Sequence, residues 1–309
     1  MTMAVVERSK PGNSKTKRAL QVFALILCIW MGIYLFPVSE RPPQPFFQNQ
    51  EGPLVIAHQG GEHLAPSNTL EAFENAEELG ADVLEFDVHI TADGVPVAIH
   101  DATVDRTTDG TGTVNDMTFD EIKVLDAGDY FQDSNGEYSY RGQGVTIPSV
   151  EEILENFGHM KLNIELKATN NPDQHEELVH SVWDLIRTYE MEEKVLIASF
   201  EQDLIDRFRE VSGGAAVSGG RQEVTRFVLL HKLFLNSIYS PTVDAVQIPV
   251  EESIFNLADH SLIRGAHNRG MEVHYWTIND EETMEKLIEL GADGIITDRP
   301  DLLLELLGR

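Results

Sequence analysis

Cysteine is nearly missing from this chain: Cys28 is the only one in 309 residues. An intramolecular disulfide is therefore impossible and a thiolate zinc site is excluded, so any metal must be held by oxygen or imidazole. Basic residues are also scarce, 23 Lys and Arg against 52 Asp and Glu, a formal charge of -29. DNA, RNA or an anionic lipid surface would meet a repulsive field, and nucleic acid is excluded as a partner on that ground. No period of about 20 to 50 residues shows close self-similarity. What remains, 42% hydrophobic and 24% charged with 23 glycines, is the composition of a globular protein with a sizeable core. The length allows one large domain or two ordinary ones.

One long apolar run is present. Ala19 to Phe36 reads ALQVFALILCIWMGIYLF, preceded by Arg8, Lys10, Lys15, Lys17 and Arg18 and followed by Pro37. At about 1.5 Å per residue it would reach about 27 Å, roughly one hydrocarbon core. It is apolar around all faces, which argues against a buried core helix. A cleaved signal peptide is the rival reading. No small-x-small site follows the run, and Leu27 is too large for the position before a lipoprotein cysteine, which favours an uncleaved anchor. The expected organisation is a basic cytoplasmic segment over 1–18, a transmembrane signal anchor over 19–37, a Pro-rich linker over 38–52 and a folded domain over 53–309. The positive-inside rule places that domain outside the cytoplasm, on a single-pass protein of the cell membrane. Beyond residue 40 the chain holds 18 basic and 50 acidic residues, net -32.

From Leu54 onward short apolar runs alternate with amphipathic segments, the pattern of an α/β protein with a parallel sheet. Strands are expected at Leu54–Ala57, Val83–Val88, Leu162–Leu166, Val195–Ala198, Ala215–Val217, Ala245–Ile248, Val273–Thr277 and Ile295–Thr297. A helix over Thr69–Leu79 has Asn68 and Glu71 as its expected capping box and Gly80 as its stop, and a helix over Glu281–Leu290 repeats this with Asn279, Glu282 and Gly291. Eight strand–helix units suggest a (β/α)8 TIM barrel, with a doubly wound open sheet as the alternative. Pro96–His100 follows the second strand after only Thr91-Ala92-Asp93-Gly94, too short for a crossover, so the two must form an antiparallel hairpin. About 102–148, without a long periodic run, reads as an inserted subdomain before a helix over Val150–Phe157.

Period-2 geometry puts Glu85 and Asp87 on one side of the second strand, and Asn163, Glu165 and Lys167 on one side of the third. Buried carboxylates repel unless a cation joins them. Three of them without a thiol favour a hard divalent ion, Mg2+ or Ca2+. His58 closes the first strand and His100 the hairpin, so both converge on the mouth that holds the carboxylates. Two imidazoles titrating near neutrality suit displacement at phosphorus: one activates the attacking oxygen, the other protonates the departing one, and Lys167 with the metal offsets phosphoryl charge. The other nine histidines, including His89, read as polar or structural.

The runs AHQGGEHLAPSNTLEAF, ADVLEFDVHITADGVPVAIHDATVDRTTDGTG, LNIELK, VHYWTIND and GADGIITDRPDLL, in this order across roughly residues 54–301, resemble the signatures of glycerophosphodiester phosphodiesterases. The resemblance implies a (β/α)8 barrel with an inserted subdomain, His58 and His100 as the acid/base pair, Glu85, Asp87 and Glu165 as metal ligands, and Lys167 and Trp276 lining the substrate pocket. It departs from the family pattern at Gln59, where the family has arginine in His-Arg-Gly, and at Ser67, where it has glutamate in Pro-Glu-Asn-Thr. Gln59 thus stands where a phosphate-facing guanidinium is expected. The implied reaction is hydrolysis of a small-molecule glycerophosphodiester to glycerol 3-phosphate and an alcohol. Alternatives are lysophospholipase D-type action on a lysophospholipid, and a catalytically weak, membrane-tethered phosphodiester-binding protein. The intact histidine pair and acid trio weigh against the last.

Overall fold

The computed structural model describes residues 14–34, 39–48 and 50–309. Helix α1 (Ser14–Tyr34) precedes the barrel. The strands are β1 (Leu54–Ala57), β2 (Val83–Ile90), β3 (Pro96–Ala98), β4 (Lys161–Leu166), β5 (Val195–Ala198), β6 (Ala216–Val217), β7 (Ala245–Ile248), β8 (Glu251–Glu252), β9 (Phe255–Asn256), β10 (Glu272–Tyr275) and β11 (Gly294–Thr297). The other helices are α2 (Leu70–Leu79), α3 (Phe119–Lys123), α4 (Val150–Phe157), α5 (His175–Thr188), α6 (Gln202–Ser212), α7 (Arg221–Lys232), α8 (His260–His267), α9 (Glu281–Leu290) and α10 (Pro300–Leu306).

Parallel pairing runs β6-β5-β4-β2-β1-β11-β10-β7. The seam between β6 and β7 is spanned by one parallel bridge, Ser218 to Ala245. This nearly closed ring, with a helix after each strand, decides for the (β/α)8 barrel over the open sheet. The expected strand ends move by no more than two residues. β3 pairs antiparallel with the end of β2, Val88 opposite Ala98, as the short turn required. The insertion has a small core of its own, with Val104, Val114, Ile122, Val145 and Ile147 packed beneath Val97 and Ile99 of the hairpin.

Two expectations about helix starts fail in the same way. Thr69, not Asn68, caps α2 by accepting from the Ala72 N–H, and Asp280, not Asn279, caps α9 by accepting from the Thr283 N–H. Both asparagines have instead been drawn into the barrel mouth. The glycine stops at Gly80 and Gly291 are as expected.

The Pro-rich segment before the barrel is docked where it is described. Arg41 pairs with Asp244 at 2.6 Å. Phe46 is fully buried and packs with Leu54, Ile56, Val83, Leu196, Ala216, Ala245 and Ile296, a layer of inward side chains that it closes from the N-terminal end of the strands. Leu35 and Phe36, which complete the apolar run, Pro37 after it, and Arg8 and Lys10 of its basic flank lie outside the described residues. Among the described residues no helix is long and apolar enough to cross a membrane. α1 begins with the polar Ser-Lys-Thr-Lys-Arg turn, and its apolar part from Ala19 to Tyr34 measures about 24 Å.

Candidate active site

The pairing register assembles the carboxylates. In the β2–β4 ladder Asp87 stands beside Glu165 and Glu85 beside Asn163, while Leu84, Phe86 and Val88 face outward into the core. Adjacent strands lie about 4.8 Å apart, so these inward groups meet. One oxygen each from Glu85, Asp87 and Glu165 falls within 4.8 Å of the others. Lys167 Nζ lies 3.1 Å from Asp87 Oδ1 and 3.1 Å from Glu165 Oε1.

This crowding sets the protonation states. Burial, reinforced by the Asp87 charge, pushes Glu85 up to about 8, although His58 and the Gln59 N–H at 2.8 Å oppose it. Burial acts the same way on Glu165, again with Asp87 adding to it, and its pKa is raised. At Asp87 burial is outweighed by Lys167, by His100 and His58, and by Asn68, so its pKa is lowered. Asn68 binds both the side chain and the main chain of Asp87. Its Nδ2 donates to Asp87 Oδ2 and its Oδ1 accepts from the Asp87 N–H, each at 3.1 Å.

His58 opens a tight turn after β1. A Cβ on Gly60, at φ 81°, would lie 2.7 Å from Ala72 Cβ, so only glycine lets this turn sit against α2. His58 Nδ1 donates to Asp298 Oδ1 at 2.6 Å, and the other Asp298 oxygen accepts from Asn279 Nδ2 at 2.6 Å. Asn279 Oδ1 takes the Asp298 N–H in return. Burial alone would push the imidazole down. The Asp298 hydrogen bond and the charges of Glu85, Asp298 and Asp87 prevail and raise its pKa to about 9. On the hairpin, the Ile99 N–H donates to Asp87 O, which brings His100 back over the end of β2. His100 Nδ1 lies 2.7 Å from Asp101 Oδ1, and Arg106 of the insertion binds both Asp101 and Glu62.

These groups line the polar end of a cavity of about 540 Å3, which His58, Glu85, His100, Asn163, Glu165 and Lys167 share. Trp276 forms part of its wall, edge-on to Phe200 at 5.5 Å. Val224, Val228, Leu229, Phe255 and Leu257 give the α7 and β9 side of the cavity an apolar stretch, beside Arg221, Thr225, Glu252 and Ser253. Gln59 is buried. Its Nε2 is 3.4 Å from His58 Nε2 and its Oε1 has no hydrogen-bond partner.

The family model for the glycerophosphoryl diester phosphodiesterase family matches residues 58–302. The chain belongs to this family. A glycerophosphodiester phosphodiesterase of Caldanaerobacter subterraneus is 36% identical over 257 residues, 82% of this chain and 97% of that protein. The glycerophosphoryl diester phosphodiesterase domain of a Mycobacterium tuberculosis protein superposes with a TM-score of 0.73 at 22% identity, covering 84% of this chain and 100% of that one. A phosphodiesterase of Oleispira antarctica, solved with the product sn-glycerol-3-phosphate, superposes with a TM-score of 0.69 at 26% identity over 84% of this chain and 98% of that one. As a member of the glycerophosphodiester phosphodiesterase family this chain is an enzyme, a phosphoric diester hydrolase, and its inward acids are grouped as a metal site would be.

All eight expected site residues are at the mouth or directly behind it. Sequence reasoning missed Asp298, Asn68, Asn279, Asp101 and Arg106, which hold the histidines and Asp87 in place. Asp298 follows directly on β11 within GADGIITDRP, a strand-end acid of the kind that marked Asp87. The two asparagines carried no separate signal, because each also suits a helix cap.

Proposed function

We propose that this enzyme hydrolyses glycerophosphodiesters to glycerol 3-phosphate and an alcohol, using Glu85, Asp87 and Glu165 to hold one divalent cation, Mg2+ or Ca2+, and His58 and His100 as acid and base. The observation that carries the reading is the strand register that sets three carboxylates beneath two histidines, each held through Nδ1 by its own aspartate. The donor set fits a hard cation, being all oxygen, and the neighbouring Asn163 Oδ1 is buried without a hydrogen-bond partner. When bound, the ion would polarise the phosphoryl oxygens and offset the charge that grows on them.

The residues of the chain do the rest. Asp101 accepts a hydrogen bond from the Nδ1–H of His100, leaving Nε2 to take the proton of the attacking water. His58, kept protonated by Asp298, gives its Nε2 proton to the departing alkoxide as the P–O bond breaks. One proton is taken up and one released, so the pair returns to its starting state after exchange with water. Lys167 supplies fixed positive charge that the neutral Gln59 cannot. The Trp276 ring offers an apolar wall to the carbon skeleton.

The apolar stretch of the cavity wall, Val224, Val228, Leu229, Phe255 and Leu257, favours a second reading, lysophospholipase D-type action, in which the substrate carries one acyl chain and its own hydroxyl attacks to give a cyclic phosphate. α1 would then act as a membrane anchor, with the acidic domain outside the cytoplasm. Phosphorus NMR of products from glycerophosphocholine and lysophosphatidylcholine separates the two reactions. His58→Ala and His100→Ala should each lower turnover by about 10²–10⁴ with the fold retained. A rate near that of the parent in either variant would remove that histidine from the mechanism.

A further inference from the structure

The chain beyond α7 leaves Leu233 and Phe234 61% and 64% exposed, and Ile238 52% exposed. Close by, Ile254 occupies the tip of the β8–β9 hairpin at 88% exposure. Two-residue hairpin turns are ordinarily built from Gly, Asn or Asp, and here Ser253 takes the left-handed position at φ 56°, so Ile254 contributes nothing that the turn requires. The two elements border one opening. Lys232 Nζ at the end of α7 donates to Asn256 O of β9 at 2.9 Å, and Leu229, Ser253 and Phe255 all line the same cavity. Apolar side chains clustered around a cavity mouth mark an interaction surface.

The occupant is indicated by what is attached. Trp30 of α1 packs edge-on against Phe234, with ring centroids 6.4 Å apart, so the helix meets the domain at this rim. α1 presents Phe23, Leu25, Ile26 and Ile29 to the outside at 55% exposure or more. We propose that Leu233, Phe234, Ile238 and Ile254 form a lipid-docking rim that enters a zwitterionic bilayer and turns the cavity mouth toward it. The choice of a bilayer as the occupant rests on the reading of α1 as an anchor. Zwitterionic lipid is specified because the exposed Glu251 and Glu252 adjoin Ile254 and the domain is strongly acidic, so anionic headgroups would be repelled. Apolar insertion, not charge, would hold the rim in place.

The test uses the full chain in phosphatidylcholine vesicles with nitroxide-bearing acyl chains as quenchers. The native Cys28 carries an environment-sensitive fluorophore to report on α1. In a Cys28→Ser background, Ile254→Cys or Leu233→Cys carries it on the rim, and Glu78→Cys on α2, across the ring of strands from α7, is the control. The expected result is that both rim labels lose half or more of their emission to the quencher while the control does not change. Quenching at Cys28 without quenching at either rim position overturns the proposal and leaves the anchor standing. Quenching at the rim alone overturns the anchor and keeps the docking surface, and quenching at neither overturns both. A rim label that is shielded from water but insensitive to the quencher would show a second protein copy in place of lipid, and would also overturn the proposal.

Discussion

Replacing Asp298 with asparagine keeps the shape of the group that holds His58 but removes its charge. The parent imidazole is raised from 6.5 to about 9, a difference of about 3 kcal/mol between protonation states. Part of this belongs to Glu85 and Asp87, whose field a bound divalent cation would offset, leaving Asp298 as the principal anion on the ring. A hydrogen bond to a charged partner contributes about 1.5–3 kcal/mol, which is about one to two pH units. If protonated His58 is the acid, kcat/KM falls as pH rises through its pKa. The alkaline limb of Asp298→Asn should therefore lie about one to two units below that of the parent, measured as glycerol 3-phosphate release with saturating cation at every pH. The stability effect has the same sign. A raised histidine pKa stabilises the fold fully below about 6.5, and that contribution is lost as pH climbs through about 9. The variant should thus lose thermal stability at pH 6 and little at pH 10. An alkaline limb that does not move would refute His58 as the acid held by Asp298.

Asn68→Ala removes the amide that serves both Asp87 Oδ2 and the Asp87 N–H, and should cost about 1–3 kcal/mol in unfolding free energy while weakening cation binding; unchanged cation affinity would mean that Asn68 is only a structural residue. Phe46→Ala should open the floor of the barrel and destabilise it by about 3–5 kcal/mol in denaturant unfolding with KM unaltered, and a shifted KM would show that the floor and the mouth are coupled. Gln59→Arg should improve kcat/KM for a singly charged diester, and Lys167→Ala should reduce it strongly. The opposite pair of results would mean that Gln59 serves a different head group. For the parent, kcat/KM should rise between about 0.01 and 0.1 M salt as screening weakens repulsion between the acidic domain and an anionic substrate, and a rate indifferent to salt would deny that field a role.

The barrel was legible because each strand is a short apolar run and each helix an amphipathic stripe. The inward acids were legible because a charged residue alternating with Leu, Phe or Ile can face only one way. The ring closure was less visible, since β6 has two residues and its seam to β7 is one bridge. Asn68 and Asn279 were misread for a physical reason. An asparagine one residue before a helix satisfies the capping pattern, and only the tertiary fold reveals an aspartate in reach whose carboxylate accepts from the amide nitrogen and whose main-chain N–H donates to the amide oxygen. Phe46 gave no signal at all, because a phenylalanine in a Pro-rich stretch looks the same whether it is solvated or inserted into a barrel.

In the proposed mechanism Glu85, Asp87 and Glu165 hold the cation on which hydrolysis depends. Titrating Mg2+ or Ca2+ into chelator-stripped enzyme, with heat of binding and turnover of glycerophosphocholine followed on the same preparation, tests it directly. One site should fill as activity returns, with both curves sharing a midpoint, and Glu85→Gln should abolish the two together. Full turnover after exhaustive chelation, or a filled site in Glu85→Gln with activity intact, would contradict the account.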